Sequence, residues 1–278
     1  MFWRKLLNID SKIIYVVVGL ALLLPVIKPV GMPVSISEEY TRRFYNYLTD
    51  IPKDAVVFFD LSFRETGEAE LGSSVLPAFE LLQKRGVKIV CGGQWQQAPF
   101  FMQSRLEKKA EEIGSVYGVD WVNIGYKPGG TATWRAMMED FWKGAAGVDC
   151  NETKFDELPL MDRVRKLDKE TFAAIVIWQA GTPGSGTWMQ YAPDIPLLAV
   201  YMGGIGGNAR YLRSGQVQAM IGGMQQAAEF EIITDCLGDA TGLLDAQSLA
   251  VLVVIAFIVL GNISWIMVKR QDSLERSS

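Results

Sequence analysis

Two long apolar stretches lie near the ends of the chain, with a mixed pattern between them. Residues 13–27, IIYVVVGLALLLPVI, are uninterrupted apolar residues, and residues 249–268 carry no charged side chain. A helix that crosses the hydrocarbon core of a bilayer needs about 17 to 25 mostly apolar residues. The pattern therefore predicts two transmembrane helices, at residues 13–30 and 249–268, with the lipid bilayer as a partner.

The first apolar stretch also has the basic start and short apolar core of a cleaved signal peptide. No small-x-small cleavage site follows it, because the sequence continues as KPVGMPVS. We therefore interpret this stretch as an uncleaved anchor.

Basic residues lie on the outer flank of each apolar stretch, and short basic flanks tend to remain cytoplasmic. Arg4, Lys5 and Lys12 precede the first stretch, and Lys269 and Arg270 follow the second. This predicts cytoplasmic tails at residues 1–12 and 269–278. Residues 34–245 would then form a domain outside the cytoplasmic (inner) membrane.

Between the two stretches, apolar runs alternate with segments of helical periodicity. Buried strands are predicted at residues 55–60, 87–91, 119–124, 172–178, 197–202 and 216–221. Helical spacing is found at residues 74–86, 98–115, from 131 onward and at 160–167. Strands that alternate with helices favour a mostly parallel sheet covered on both faces. The expected fold is α/β, a doubly wound, mostly parallel sheet domain (Rossmann-like) flanked by N- and C-terminal transmembrane helices.

Glycines collect where the predicted strands end, at the edge of an α/β sheet where ligands usually bind. They suit a backbone cradle for a ligand and a crowded turn equally well. Neither phosphate motif is complete, because GYKPGGT lacks the lysine before its threonine and GGIGGN lacks the last glycine of G-x-G-x-x-G. The candidate ligand-binding residues are Asp60, Ser62, Trp95, Gly129, Gly130, Thr131, Gly184, Gly186, Trp188, Gly204, Gly206 and Gly207.

Asp60 and two tryptophans carry the most specific candidate chemistry of this set. Asp60 ends the first predicted strand, but DLSFR has Arg64 where a D-x-S-x-S metal site needs serine. We expect Asp60 to cap a turn or to pair with Arg64. Trp95 and Trp188 follow glycines in predicted loops, where a ring either covers the loop or recognises a protein or small ligand.

The composition argues against catalysis and against nucleic-acid binding. The chain has no histidine, which removes Ser-His-Asp and Cys-His catalysis and histidine-bound zinc or haem. The net charge of −4 and the lack of a basic stripe argue against nucleic acid. We therefore expect no catalytic residue, no cofactor and no metal, and the sequence leans against an enzyme.

The three cysteines have no metal-binding spacing. Cys150 and Cys236 are a possible disulfide outside the cytoplasm, although a reducing compartment would leave both thiols free. Cys91 ends an apolar run and is expected to be a small buried residue.

Asn262 lies inside the second apolar stretch, where an amide that faces lipid is costly. We expect it to hydrogen-bond another helix, from the first stretch or from a neighbouring subunit.

Two functions remain compatible with these patterns. The first is a non-enzymatic structural or interaction subunit of a membrane assembly, as a homo-oligomer or with a membrane-protein partner. The alternative is an extracytoplasmic small-ligand-binding receptor or transport accessory protein, with its pocket at the glycine-rich carboxyl edge of the sheet. A metal-dependent hydrolase built around Asp60 is a third hypothesis.

Overall fold

The computed structural model describes residues 2–7, 9–182 and 184–275. Their contacts divide the chain into two compact units. One unit is Val34–Ala240, and the other combines Met1–Pro33 with Thr241–Ser278.

A parallel sheet of six strands forms the centre of the unit Val34–Ala240. The strands are β1 (Val56–Ser62), β2 (Lys88–Gly93), β3 (Trp121–Tyr126), β4 (Phe172–Gln179), β5 (Leu197–Tyr201) and β6 (Ala219–Gly222). Their order in the sheet is β3-β2-β1-β4-β5-β6. The chain therefore adds strands outward from β1 in one direction and then crosses to the other side of β1. This order is that of doubly wound nucleotide-binding folds, and it confirms the predicted α/β class with a parallel sheet.

The described part of the chain contains eleven α-helices. They are α1 (Phe2–Leu7), α2 (Ser11–Ile27), α3 (Arg43–Asp50), α4 (Ser73–Lys84), α5 (Gln97–Ile113), α6 (Thr131–Glu139), α7 (Phe141–Gly144), α8 (Ser185–Tyr191), α9 (Ala209–Arg213), α10 (Gly223–Ile233) and α11 (Asp239–Glu275).

Helices cover both faces of the sheet. Residues of α3, α4, α5 and α10 join one apolar cluster with one face of the strands. Residues of α6, α7, α8 and α9 join a second cluster with the opposite face. All seven residues of β1 are buried, because this central strand has helices above and below it. This double cover explains why the strands are continuous apolar runs in the sequence.

Two predicted elements differ from the structure. The helix predicted at 160–167 is wrong, because only a short 3-10 turn, Pro159–Arg163, forms there. Its backbone bonds elsewhere instead, since the N–H of Leu167 donates to the oxygen of Met137 at 3.0 Å. The strand predicted at 216–221 begins only at Ala219, because the N–H of Val217 donates to the oxygen of Tyr211.

The two outer strands of the sheet have neighbours that cover their free edges. Beside β3, the N–H of Cys150 donates to the oxygen of Asn123 at 2.9 Å. At the start of β6, Nε of Arg43 donates to the oxygen of Gln218 at 2.7 Å. An uncovered edge strand is a template for pairing with another chain. Cys150 and the side chain of Arg43 thus each take up one backbone oxygen at the outer strands.

Two buried glutamates of α10 fix the chain at the start and end of this unit. Glu229, which is 1% exposed, accepts hydrogen bonds from the N–H of Ser37 at 2.9 Å and the hydroxyl of Thr41 at 2.6 Å. Glu231 accepts from the N–H groups of Gly238 and Ala240, at the first turn of α11. Carboxylates are favourable at a helix N-terminus because the N–H groups there lack partners within the helix.

The second unit contains the two apolar helices. In the described residues, one helix is long and apolar enough to cross a membrane, the part Asp239–Gln271 of α11. This contains the span predicted at 249–268. The other apolar helix, α2, has only 17 residues, and a second span at 13–30 stays a prediction.

A single aspartate and a close helix contact join the parts of this unit. Asp245 accepts the N–H groups of Val30, Gly31 and Met32, at 2.7, 2.8 and 3.0 Å. A Cβ atom at Gly242 would lie 2.9 Å from the oxygen of Pro25, so only glycine permits this approach of α11 to the end of α2.

Replacing Glu229 with Ala should lower the free energy of unfolding by about 2 to 4 kcal/mol, because the N–H of Ser37 and the buried hydroxyl of Thr41 lose their acceptor. Urea unfolding of the full chain in mild detergent, followed by tryptophan fluorescence, measures this loss. The matched control is Glu111→Ala at an exposed position of α5, which should change the free energy by less than about 0.5 kcal/mol. Equal losses in the two variants would contradict the structural role of Glu229.

Candidate functional site

The loops that follow the parallel strands meet at the carboxyl edge of the sheet. The loop after β2 contacts its neighbours on both sides. Nε2 of Gln94 donates to the oxygen of Gly130, in the loop after β3, at 2.6 Å. On the other side, Gly181 in the loop after β4 lies against the ring of Trp95, since a Cβ atom on Gly181 would be 3.5 Å from Cζ2.

A crevice of about 540 Å³ lies among these loops, where the strand order reverses between β1 and β4. We call it the switch-point crevice; its lining residues are Arg64, Gln94, Trp95, Gln96, Gln97 and Thr182. Arg64 comes two residues after β1, and Thr182 comes three residues after β4. In open α/β sheets, ligands bind outside the carboxyl ends of the strands at such a reversal.

Glycine at position 93 is required for the shape of this edge. A Cβ atom at Gly93 would lie 2.5 Å from the oxygen of Leu61, closer than any side chain tolerates. The end of β2 therefore approaches the end of β1 directly, and the loop 94–96, which leads into α5, begins at that contact.

Arg64 supplies the positive charge of the crevice. Its guanidinium carbon lies 4.9 Å from the centre of the Trp95 ring, a distance at which the ring attracts a cation. No carboxylate lines the crevice, and within the described residues Arg64 forms no ion pair. Arg64 is exposed, and no carboxylate among the described residues takes up its guanidinium donors.

Asp60 is buried beneath this edge and does not pair with Arg64 as expected from the sequence. It is 2% exposed and accepts from the hydroxyl of Ser62 at 2.5 Å and from Nε1 of Trp188 at 2.8 Å. Burial raises the pKa of Asp60 to about 6, although its two hydrogen bonds oppose that shift.

Trp188 differs from its sequence interpretation as a loop aromatic. It lies within α8 and is 1% exposed, with its ring 4.9 Å from that of Trp134 and 5.8 Å from that of Phe58. Helical packing against these rings explains the burial. Asp60, Ser62 and Trp188 thus lie together, but as a buried cluster and not as an open site.

A second polar network holds the loop after β4. The N–H of Ser185 donates to Oε1 of Gln179, and the hydroxyls of Ser185 and Tyr201 are 3.1 Å apart. These bonds tie the start of α8 to the ends of β4 and β5.

The remaining sequence candidates flank the crevice at the same edge. Gly129, Gly130 and Thr131 lie at the start of α6, Gly184 and Gly186 at the start of α8, and Gly204, Gly206 and Gly207 after β5. Among the candidate residues that the structure describes, Trp95 lines the crevice itself. Sequence reasoning missed Arg64, Gln94, Gln96, Gln97 and Thr182. The available signal was their position, because each lies three to six residues after the end of a predicted strand.

The other sequence candidates lie elsewhere. Cys150 and Cys236 are free thiols that line different pockets, so the structure does not form the disulfide considered from the sequence. Burial raises the pKa of Cys150 to about 11 and that of Cys236 to about 12, which keeps both protonated at neutral pH. Cys91 is also free and is buried at the end of β2. Within the described residues, no group of three Cys, Asp or Glu side chains is arranged to hold a metal ion.

Asn262 is exposed on α11, and its amide nitrogen donates to the oxygen of Ile258, one turn earlier, at 2.8 Å. Its contact with another helix stays a prediction.

Comparisons with protein-family models, curated proteins and solved structures found no match. The functional argument therefore depends on the geometry of the carboxyl edge.

Asp60→Asn should stabilise the protein increasingly as the pH rises. The folded pKa of Asp60, about 6, exceeds the ordinary value of 3.8, so stability is lost as the pH rises from about 4 to 6. Asn removes this ionisation, and above pH 6.5 the variant should gain roughly 2 kcal/mol relative to its difference from the wild type at pH 4. Urea unfolding at several pH values measures the difference.

The exposed Asp194→Asn is the control, and its pH profile should follow that of the wild type. A difference between Asp60→Asn and the wild type that does not change with pH would show that Asp60 ionises normally.

Proposed function

We propose that the α/β unit binds a small, negatively charged polar ligand in the switch-point crevice. The apolar helices anchor this unit in the cytoplasmic membrane, and the unit lies outside the cytoplasm. The protein acts there as a receptor or a transport accessory protein.

The charge of the crevice is the single observation that carries the proposal. Arg64 lines it without a carboxylate beside it, and its planar guanidinium can donate two parallel hydrogen bonds to a carboxylate or phosphate. Three glutamine amides and the hydroxyl of Thr182 add uncharged donors and acceptors around this cation. Such a set favours a ligand with several oxygen atoms and a net negative charge.

Binding without chemistry fits the same lining. The crevice presents amides, one hydroxyl, one cation and one aromatic ring, but no carboxylate or thiol. Asp60, the candidate acid from the sequence, has both oxygens occupied by hydrogen bonds from Ser62 and Trp188. A proton donor or acceptor must reach its substrate within hydrogen-bond distance, and Asp60 is buried away from the crevice.

The location in the membrane is supported by two features. The part Asp239–Gln271 of α11 is long and apolar enough to span a bilayer, and α2 adds a shorter apolar helix. The excess of lysine and arginine on the outer flanks of these segments favours cytoplasmic chain ends.

Arg64→Gln tests the crevice, because it removes the charge and keeps a side chain that forms hydrogen bonds. The purified full chain is titrated by calorimetry with citrate, glutamate, inorganic phosphate and, as an uncharged probe, glucose. Binding of an anionic probe should weaken by about tenfold or more in the variant, the effect of a lost charge-assisted hydrogen bond.

The control is Arg85→Gln, which follows α4 and lies at the opposite edge of the sheet. It should bind the probes as the wild type does. Saturable binding of no anion, or equal binding by Arg64→Gln, would refute the proposed ligand site.

A second candidate function is assembly with other membrane helices, and the exposure of Asn262 favours it. This residue lies on an apolar helix, and the hydrogen bond described for its side-chain amide goes to a backbone oxygen of the same helix. In a bilayer, its remaining hydrogen-bonding groups would be better satisfied by a polar group from a neighbouring helix.

Asn262→Leu should then shift the protein toward smaller species in mild detergent, because the interhelical hydrogen bond is lost. Light scattering coupled to size-exclusion chromatography measures the protein mass. Ile266→Leu, at another exposed position of α11, is the control and should leave the mass unchanged. An unaltered mass for Asn262→Leu would argue against a bridging role for this amide.

A further inference from the structure

A second pocket, of about 550 Å³, lies at the end of β3. We call it the β3 pocket; the lining residues that matter here are Phe100, Ile124, Tyr126, Lys127, Asp149 and Cys150. Arg64 does not line it, and the pocket shares only Gln96 and Gln97 with the switch-point crevice.

Lys127 is an unusual residue for a pocket wall because it is 8% exposed and has no charged partner. Its Nζ donates to the oxygen of Val148 at 3.0 Å, and no ion pair of Lys127 occurs within the described residues. An ammonium group has three protons to donate, so one backbone carbonyl leaves it incompletely satisfied. A buried cation without a partner costs considerable free energy.

The nearest carboxylate is already occupied by other donors. Oδ2 of Asp149 accepts the hydroxyl of Tyr117 at 2.7 Å, and its Oδ1 accepts the N–H groups of Asn151 and Thr153, each at 2.8 Å. Asp149 attracts Lys127 without contacting it, and burial still lowers the pKa of Lys127 below its ordinary value. Glu152 also lines the pocket, but it is exposed to solvent.

The apolar side of the pocket is equally incomplete. Phe100 is 82% exposed and Tyr126 is 40% exposed. Ile124, a residue of β3, is buried and lines the pocket. Large aromatic side chains contribute most when a partner covers them. The pocket thus combines a buried cation that lacks an anion with aromatic rings that lack a cover.

We propose that the β3 pocket binds a small amphipathic carboxylate, whose anionic head meets the ammonium of Lys127 and whose apolar body covers Phe100 and Tyr126. One ligand of this class supplies both missing partners. The site is additional to the switch-point crevice and does not depend on it.

The proposal is tested on the full chain in mild detergent by fluorine NMR with 4-fluorobenzoate and 4-fluorophenylacetate. At least one probe should bind saturably, and Lys127→Met should weaken its binding by about tenfold or more. Phe100→Ala should weaken it by about threefold to tenfold through lost apolar contact. Because Phe100 is exposed, this variant keeps its fold and decides the matter if Lys127→Met does not fold.

Three controls separate this site from other binding. Lys154→Met removes an exposed lysine near the pocket and should bind as the wild type does. The uncharged 4-fluorobenzamide should not distinguish Lys127→Met from the wild type. Arg64→Gln should leave probe binding unchanged. If Arg64→Gln weakens binding and Lys127→Met does not, the probe binds in the switch-point crevice, and the β3 pocket alone is overturned. If neither carboxylate binds, or if Lys127→Met and Phe100→Ala both bind the probe as tightly as the wild type does, the proposal is also overturned.

Discussion

The parallel pairing of β1 with β4 is the constraint on which the rest of the structure depends. The two strands run side by side from Val56 with Phe172 to Ser62 with Gln179. Because of this pairing, β2 and β3 lie on one side of β1, and β4, β5 and β6 lie on the other side. The loops after β1 and β4 then leave in different directions, and a crevice opens between them. Arg64 and Thr182 face this crevice because each follows one of these paired strands.

Buried charges divide into two kinds in this protein. Glu229 and Asp245 are surrounded by hydroxyl and backbone N–H donors of their own chain, and each fixes a segment that would otherwise leave its donors unpaired. Lys127 has a single carbonyl acceptor and no counter-ion in the described residues. A complete set of partners indicates a structural role, because removing the charge leaves several groups unsatisfied. An incomplete set at the wall of a pocket indicates that part of the partner set comes from outside the chain.

The fold was largely predictable from the sequence, because apolar runs such as AVVFFD at residues 55–60 have the pattern of strands buried on both faces. The error at residues 160–167 has a physical reason. Leu160, Val164 and Leu167 recur at helical spacing and are all buried, but the backbone there bonds to the segment of α6 and α7. Apolar spacing reports which side chains are buried and not where the backbone hydrogen bonds go. The strand order could not be predicted, since it depends on contacts between residues more than a hundred positions apart, such as Phe58 and Phe172.

The candidate site was predictable in location but not in composition. The glycines after each predicted strand indicate that the site lies at the carboxyl edge of the sheet. Which residues line it depends on which loops contact each other. Trp95 reaches Gly181 and Arg64 only because Gly93 allows β2 to approach β1. Asp60 with its raised pKa and the buried Lys127, which has no ion pair among the described residues, lie at or just after the carboxyl ends of strands. Groups that break the usual rules of burial and pairing concentrate at functional sites, where their cost is offset by binding. This concentration of unusual groups is why the carboxyl edge is the part of the domain that we propose as the ligand site.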